Sequence, residues 1–127
     1  KYFYEELKDY PFIDYLGHVE YEQMTKLYNS VDVFVIPSYR EGLPKSALEA
    51  AASGLPIIAS DAPGCRECVK DNGYLTIPRD RVDLASKMEK FIKKPEIIYN
   101  LGTNSQRMID KEFSLNKISK QYLDLIR

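Results

Sequence analysis

Two short runs of β-prone apolar residues mark the centre of this chain. Val33–Ile36 is continuous and apolar until Pro37 ends it, and Pro56–Ser60 is a second run of the same kind. Continuous apolar runs, rather than alternating ones, are typical of parallel strands that are buried on both faces. The sequence therefore predicts two buried strands here.

A short helix is predicted between these strands. Pro44 suits the first position of a helix, where its missing N–H costs nothing, and Gly54 suits the left-handed stop after the last turn. The helix is preceded by Glu41, Gly42 and Leu43, so no Ser, Thr, Asp or Asn is placed to cap its first N–H groups. An uncapped start presents free donors and about half a positive charge, which suits a phosphate or a sugar hydroxyl.

Strands and helices alternate on both sides of this centre. Before it, the pattern predicts a helix end within residues 1–10, a short strand at Phe12–Leu16 and a helix at Tyr21–Val31. After it, a helical turn at Arg66–Lys70 precedes a last strand at Tyr74–Ile77. Such alternation is typical of a parallel sheet with helices on both faces, so the predicted fold class is α/β.

Three further helices are predicted after the last strand. Their apolar stripes are Leu84, Ala85, Met88 and Ile92 in the first, Ile98, Leu101, Ser105 and Met108 in the second, which begins at Pro95, and Leu115, Ile118, Tyr122 and Leu125 in the third. Ser114 is the predicted N-cap of the third helix. We interpret the charged residues of these helices as their solvated faces.

Composition and charge limit the possible functions. The 127 residues are enough for one domain, and 44% hydrophobic with 29% charged residues is ordinary for a globular protein. A net charge of −1, without a basic stripe and interleaved aromatic residues, argues against a nucleic-acid partner. No apolar run approaches the roughly 20 residues that a membrane span needs.

Two carboxylates bracket the uncapped helix start. Glu41 lies in the loop before it and Glu49 lies inside the helix, with seven residues between them. Each carboxylate can accept hydrogen bonds from two vicinal hydroxyls, so the pair suits a polyhydroxyl ligand. The spacing alone leaves open the alternative of a solvated Glu49 beside an ordinary surface loop.

Three loops are predicted to meet at one edge of the sheet. Parallel sheets bind their ligands beyond the carboxyl ends of the strands. We therefore expect Gly17–Val19, Ser38–Leu43 and Asp61–Gly64 to lie along one rim, although they are far apart in the sequence.

The central stretch PSYREGLPKSALEAAASGLPIIAS resembles the Glu-X7-Glu signature of the family 4 retaining glycosyltransferases, which have the GT-B fold. DAPGCRECV after it and YLGHVEYEQMTKLYNSVDVFVIP before it are similar to the same family, especially to its members that build bacterial exopolysaccharide, capsule and lipid-linked oligosaccharides. The resemblance covers nearly the whole chain. It implies a Rossmann-like parallel sheet with helices on both faces, as the truncated C-terminal half of a GT-B fold.

The resemblance also implies an activity. We expect transfer of a hexose from a nucleoside-diphosphate sugar with retention of configuration, without metal or other cofactor; no Asp-X-Asp motif is present. The expected partners are the nucleotide-sugar donor and a glycan or lipid-linked acceptor, and the expected location is the cytoplasm or the inner face of the cell membrane. The acceptor domain and the first strands, which carry a diphosphate-clamping Arg and Lys in this family, are absent from residues 1–127. We therefore expect the chain alone to be inactive.

Individual residues take their roles from the same resemblance. His18 and Val19 would lie near the nucleotide base, and Glu49 would bind the ribose hydroxyls. The residues expected at the transferred sugar and the diphosphate are Glu41, Gly42, Leu43, Pro44 and Ser46. Among them, Glu41 is the candidate catalytic residue, which would orient the sugar and not act as a nucleophile. No metal ligand is expected.

Other interpretations stay open. A non-catalytic module on the same scaffold would bind nucleotide or a protein partner without transferring sugar, and a GT-B-like sugar-nucleotide epimerase is a weaker option. Cys65 and Cys68 have the C-x-x-C spacing, but with one His and no second Cys pair a structural zinc site is not expected. A redox dithiol is a minor alternative to reduced, structural thiols.

Overall fold

The computed structural model describes residues 2–126 as a three-stranded sheet with flanking helices. The helices are α1 (Tyr2–Leu7), α2 (Tyr21–Asn29), α3 (Lys45–Ala52), α4 (Arg81–Lys93), α5 (Ile97–Glu112) and α6 (Leu115–Ile126), with a 3-10 turn at Arg66–Cys68. The strands are β1 (Phe34–Ile36), β2 (Ile57–Ser60) and β3 (Gly73–Thr76). The predicted α/β class is confirmed.

The sheet is parallel and has the strand order β1-β2-β3. Phe34 lies opposite Ile57, and Ile57 in turn lies opposite Gly73. Parallel neighbours need a crossover, and α3 supplies the one between β1 and β2. All four residues of β2 are buried, as expected for the central strand.

Helices α3 and α5 cover one face of the sheet, where most of the core lies. Ala47, Ala50 and Ala51 are fully buried, and such small side chains let α3 approach the strands closely. Gly102 of α5 lies so close to the end of α3 that a Cβ there would be 2.0 Å from the carbonyl oxygen of Gly54. This close packing against α5 holds α3 in place, and with it the start of α3, which is the candidate site.

Helix α4 packs against the other face, next to β3. The ring of Phe91 is buried and contacts the edge of the Tyr74 ring, with centroids 5.6 Å apart. The predicted stripe of this helix is wrong in part, because Met88 and Ile92 are 45% and 77% exposed. Phe91 is the residue of this helix that is buried against the sheet, while Met88 and Ile92 border an open groove beside Val35 and Ile58. With α3 and α5 opposite, the sheet has helices on both faces as predicted.

The strand predicted at Phe12–Leu16 is wrong. This segment has no strand in the structure, and Phe12 and Leu16 are 80% and 58% exposed. A strand needs a hydrogen-bonded neighbour. The parallel pairs found within residues 2–126 join only β1, β2 and β3, so this apolar segment has no strand beside it.

The remaining elements differ little from the predictions. Pro44 is the N-cap of α3, one position earlier than predicted, and Gly54 has the expected left-handed backbone with φ 86°. The hydroxyl of Ser114 accepts a hydrogen bond from the N–H of Lys117 at 3.3 Å, as an N-cap of α6 should. Of the predicted α6 stripe, Leu125 is exposed, while the side chains of Leu115, Ile118 and Tyr122 lie outside the described residues.

The second stripe is confirmed, since Ser105 and Met108 of α5 are buried and Ile98 and Leu101 are partly buried. Within the part of the chain that the structure describes, each helix is too short or too polar to cross a membrane.

Candidate functional site

The start of α3 is open, as the sequence predicts. Pro44 occupies the N-cap position and contributes no capping side chain. Across the described residues, nothing accepts a hydrogen bond from the N–H groups of Gly42, Leu43, Lys45 or Ser46. A helix start with free donors favours a ligand that carries negative charge.

Glu49 lies beside this start and is held in place. The hydroxyl of Tyr28 donates a hydrogen bond to Oε2 of Glu49 at 3.2 Å, and Nζ of Lys45 lies 3.9 Å from Oε1. The Glu49 side chain is 29% exposed, so it is reachable but not freely solvated. Burial, and then the neighbouring Glu49 carboxylate, raise the pKa of Tyr28 to about 12. The phenol therefore stays protonated at neutral pH and remains a donor to Glu49.

The start of α2 lies next to the start of α3. Nζ of Lys45 lies 5.6 Å from the centroid of the Tyr21 ring, which is the first residue of α2. His18 and Val19 precede Glu20, the N-cap of α2, so they lie near this helix start. His18 is exposed, with its Nε2 3.4 Å from Oε1 of Glu20, and Val19 is partly buried.

The loops before α3 and after β2 meet, as predicted for the carboxyl rim. The N–H of Glu41 donates to the carbonyl oxygen of Pro63 at 3.3 Å, and the thiol of Cys65 lies 3.7 Å from the carbonyl oxygen of Ser38. Gly64 has φ 85°, and a Cβ there would lie 2.2 Å from the carbonyl oxygens of both Glu41 and Gly42. Glycine is therefore required at position 64, because a larger residue would clash with the loop before α3.

The side chains on this rim face solvent. Glu41, Gly42, Leu43 and Ser46 are exposed, whereas Pro44 is buried under the loop. Next to Glu41, a groove of ≈ 550 Å³ runs between this loop and the end of α5. An ion pair between Lys70 and Glu112 lies along the groove.

Sequence reasoning missed three contributors to this site. Tyr28 is predicted only to lie within the helix at Tyr21–Val31, and its hydroxyl gives no local sign of its partner on α3. Tyr21 is missed for the same reason, whereas Lys45 is missed although it lies on the same helix as Glu49. The i,i+4 spacing of Lys45 and Glu49 on one helix is the signal that could have indicated their proximity.

The two cysteines are free thiols and both are buried. Burial is the main cause that raises the pKa of Cys65 above its usual range and that of Cys68 to about 11. No group of three or more His, Cys, Asp and Glu side chains among the described residues could hold a metal ion.

A family described as glycosyl transferases group 1 matches residues 5–108. The chain belongs to this family. It is 32% identical over 115 residues to N,N'-diacetylbacillosaminyl-diphospho-undecaprenol alpha-1,3-N-acetylgalactosaminyltransferase of Campylobacter jejuni, covering 89% of this chain and 30% of that protein. It is 34% identical over 103 residues to MMP alpha-(1->4)-mannosyltransferase of Mycolicibacterium hassiacum, covering 79% and 25%. The chain thus spans less than a third of the length of these relatives.

Solved structures agree with this assignment. Sucrose-phosphate synthase from Thermosynechococcus elongatus superimposes with a TM-score of 0.89 at 28% identity, covering 98% of this chain and 33% of that one. Anabaena Alr3699/HepE in complex with UDP gives 0.74 at 25% identity, covering 80% and 29%. The C-terminal domain of the Francisella tularensis group 1 protein LpcC has the same fold, with a TM-score of 0.77 at 24% identity, covering 88% and 60%. The predicted fold, a C-terminal domain of the GT-B type, is confirmed.

Proposed function

We propose that this chain is the donor-binding part of a retaining hexosyltransferase that takes its sugar from a nucleoside diphosphate and needs no metal or other cofactor. One observation carries the proposal: the open start of α3 lies beside Glu49, whose carboxylate is fixed by Tyr28. Family membership and the UDP-bound neighbour from Anabaena support it.

The carboxylate of Glu49 binds the ribose in this proposal. Two vicinal hydroxyls can donate to one carboxylate. The hydrogen bond from Tyr28 uses one acceptor position of Oε2 and leaves the other positions of the Glu49 carboxylate available. His18 and Val19, just before α2, contact the base. The site is therefore built from two adjacent helix starts.

The diphosphate is stabilised by backbone donors. As it departs, negative charge develops on its oxygens, and the N–H groups of Gly42, Leu43 and Ser46, which have no acceptor among the described residues, are available to donate to that charge. Losing one such preorganised donor typically costs about 3–4 kcal/mol in the transition state. Pro44 shapes the turn that presents these groups.

Glu41 orients the transferred sugar without forming a bond to it. Its N–H is tied to Pro63, which fixes the backbone, while its exposed side chain is free to accept hydrogen bonds from sugar hydroxyls. Sugar transfer of this kind passes through an oxocarbenium-like state, which a nearby carboxylate stabilises.

Residues 1–127 form part of a C-terminal donor domain in this proposal. The acceptor, a glycan or a lipid-linked sugar, binds an N-terminal domain that these residues do not include, so the chain alone binds donor without transferring sugar. The full enzyme works in the cytoplasm, at the inner face of the membrane where the acceptor is lipid-linked.

The proposal is tested by titrating the ¹⁵N-labelled chain with UDP and with GDP. We expect the nucleotide that has the same base as the donor to shift the amide signals of Val19, Glu41–Leu43 and Glu49. Glu49→Ala should weaken binding about 10- to 100-fold, since a hydrogen bond to a charged group contributes about 1.5–3 kcal/mol. Glu89→Ala removes an exposed carboxylate on the opposite face of the sheet and should leave the affinity unchanged.

Two outcomes would contradict this function. Absence of saturable shifts at millimolar nucleotide in the folded chain would exclude a donor site on it. Binding elsewhere, unaffected by Glu49→Ala, would favour a non-catalytic module. Retention and metal independence are tested on the full-length enzyme, by following the anomeric proton of the product by NMR with EDTA present.

A further inference from the structure

Lys45, the first residue of α3, lies between the parts of the site that are proposed for the ribose and for the diphosphate. Glu49 follows it at i,i+4 spacing, so the two side chains share one face of the helix and lie about one turn apart along its axis. The loop with the free N–H groups of Gly42 and Leu43 comes just before Lys45. The order from the helix interior to its start is therefore Glu49, Lys45 and the loop.

A nucleoside diphosphate has the same order. Its ribose is bonded to the α-phosphate, and the β-phosphate follows. A nucleotide whose ribose hydroxyls bind Glu49 and whose diphosphate binds the loop amides therefore brings its phosphates past Lys45.

Two contacts hold the Lys45 ammonium between α2 and α3. Its Nζ lies 3.9 Å from Oε1 of Glu49 and 5.6 Å from the centroid of the Tyr21 ring. A cation within about 6 Å of an aromatic centroid is attracted to the face of the ring. The side chain is therefore drawn toward the start of α2 and toward the carboxylate that is proposed to bind the ribose.

The Lys45 ammonium has donors to spare. Its distance of 3.9 Å from Oε1 of Glu49 is longer than a hydrogen bond, and Nζ donates no hydrogen bond to any described residue. An ammonium group has three N–H donors. The side chain is 82% exposed, so the phosphate of an incoming ligand can reach these donors.

The charges of the proposed site favour a cation at this position. The carboxylates of Glu41 and Glu49 both repel the negative charge of a diphosphate. The free N–H groups of a helix start supply only about half a positive charge. Lys45 adds a full positive charge on the same helix face as Glu49, which offsets part of that repulsion.

We propose, as an extension that rests on the proposed function, that the Lys45 ammonium binds the diphosphate next to the ribose. Nζ donates to phosphate oxygens and remains beside Glu49. The site then prefers a nucleoside diphosphate to the nucleoside alone, because both make the ribose contact with Glu49 but only the diphosphate contacts Lys45.

Calorimetric titrations with UDP and uridine, and with GDP and guanosine, test this preference. The native chain should bind the diphosphate that has the donor's base more tightly than the matching nucleoside. Lys45→Met removes the charge and keeps a long side chain that suits a helix. It should weaken diphosphate binding about tenfold, as expected for one hydrogen bond to a charged group, and nucleoside binding less than about twofold.

Lys45→Arg tests whether the charge is what matters. Arginine also binds phosphate, so this variant should bind the diphosphate within about threefold of the native chain. Added NaCl should weaken diphosphate binding more in the native chain than in Lys45→Met, because salt screens a contact that the variant lacks.

Lys93→Met is the matched control. Lys93 is also an exposed lysine with a glutamate at i,i+4 spacing, and its Nζ lies 3.5 Å from Oε2 of Glu89 on α4. This variant should bind every ligand like the native chain. Because Lys45 is exposed, Lys45→Met should melt close to the native temperature, and Lys45→Gln replaces it in the titrations if it does not fold.

Three outcomes would overturn the proposal. Equal weakening of diphosphate and nucleoside binding by Lys45→Met would mean that Lys45 only positions Glu49. Native diphosphate binding in Lys45→Met, with binding weakened in Glu49→Ala, would exclude the Lys45 contact and leave the proposed function standing. Absence of diphosphate binding by the native chain would contradict the proposed function and the role of Lys45 together.

Discussion

The hydroxyl of Tyr28 on α2 donates a hydrogen bond to Oε2 of Glu49 on α3, at 3.2 Å. The Tyr28 ring in turn packs edge-on against Phe34 of β1, with centroids 6.3 Å apart. One residue therefore joins two helices and a strand at the point where the donor ribose is proposed to bind. Its hydroxyl restricts the orientation of the carboxylate before any ligand arrives.

Tyr28→Phe should weaken UDP or GDP binding about three- to tenfold. The substitution keeps the ring and its packing but removes one hydrogen bond, whose net contribution is about 0.5–1.5 kcal/mol. The freed carboxylate must then be ordered by the ligand itself. Isothermal titration calorimetry on the native and variant chains measures the difference.

Tyr99→Phe is the control for this prediction, because Tyr99 is 80% exposed on α5 and its hydroxyl has no hydrogen-bond partner among the described residues. The nucleotide affinity of Tyr99→Phe should match that of the native chain. An unchanged affinity in Tyr28→Phe would mean that Glu49 is positioned by the helix alone and that Tyr28 only packs.

Gly64→Ala should destabilise the chain by about 1–3 kcal/mol or more and weaken nucleotide binding. The left-handed backbone at φ 85° strains any other residue, and a Cβ would lie 2.2 Å from the carbonyl oxygens of Glu41 and Gly42. The loop that carries the proposed donors would have to move. Urea unfolding gives the stability, and the nucleotide titration gives the affinity.

Gly42→Ala is the matched comparison for stability, because a Cβ at Gly42 would meet nothing within 4 Å. We expect a change within about 0.5 kcal/mol. Equal losses of unfolding free energy in Gly64→Ala and Gly42→Ala would show that the close approach at Gly64 does not fix the loop.

The central strand, helix and strand could be predicted because their signals are local. Pro44 and Gly54 mark the helix ends within one residue, and the lack of a capping side chain can be read directly from Glu41–Leu43. The open start of α3 was predictable for the same reason.

Contacts between distant residues could not be predicted. Tyr28 and Glu49 are 21 residues apart, and no periodicity indicates that they meet. Asn72 is fully buried and donates to Oγ of Ser105 at 3.0 Å, 33 residues away. The orientation of α4 depends on Phe91 meeting Tyr74, which a single-helix pattern does not contain.

Cys65 and Cys68 should react with a thiol reagent only when the chain unfolds. Both are buried, and burial raises the pKa of Cys68 to about 11, so the reactive thiolate is scarce at neutral pH. Ellman's reagent at pH 7.5 should label fewer than one thiol per chain within minutes, and two in 6 M guanidinium. Rapid labelling of the native chain would revive the redox-dithiol hypothesis.

The stability contributed by Asp83 should be lost in acid. The backbone N–H of Ile77, followed by the Thr76 hydroxyl, lowers the pKa of this carboxyl below its usual value. The unfolded chain therefore takes up a proton at higher pH than the native chain does, so stability falls as the pH drops through the carboxyl range. Above the usual carboxyl pKa of about 4, the contribution is complete.

Thermal unfolding of the native chain and Asp83→Asn from pH 3 to pH 8 measures this contribution. The native chain should melt at a higher temperature than the variant, by a constant margin from about pH 6 upward, and the margin should shrink below about pH 5 as the carboxylate is protonated. Asp110→Asn, at an exposed position of α5, is the control, and its melting temperature should differ little from that of the native chain at every pH. A margin for Asp83→Asn that persists unchanged to pH 3 would mean that the hydrogen bonds to Thr76 and Ile77 do not require the ionised carboxylate.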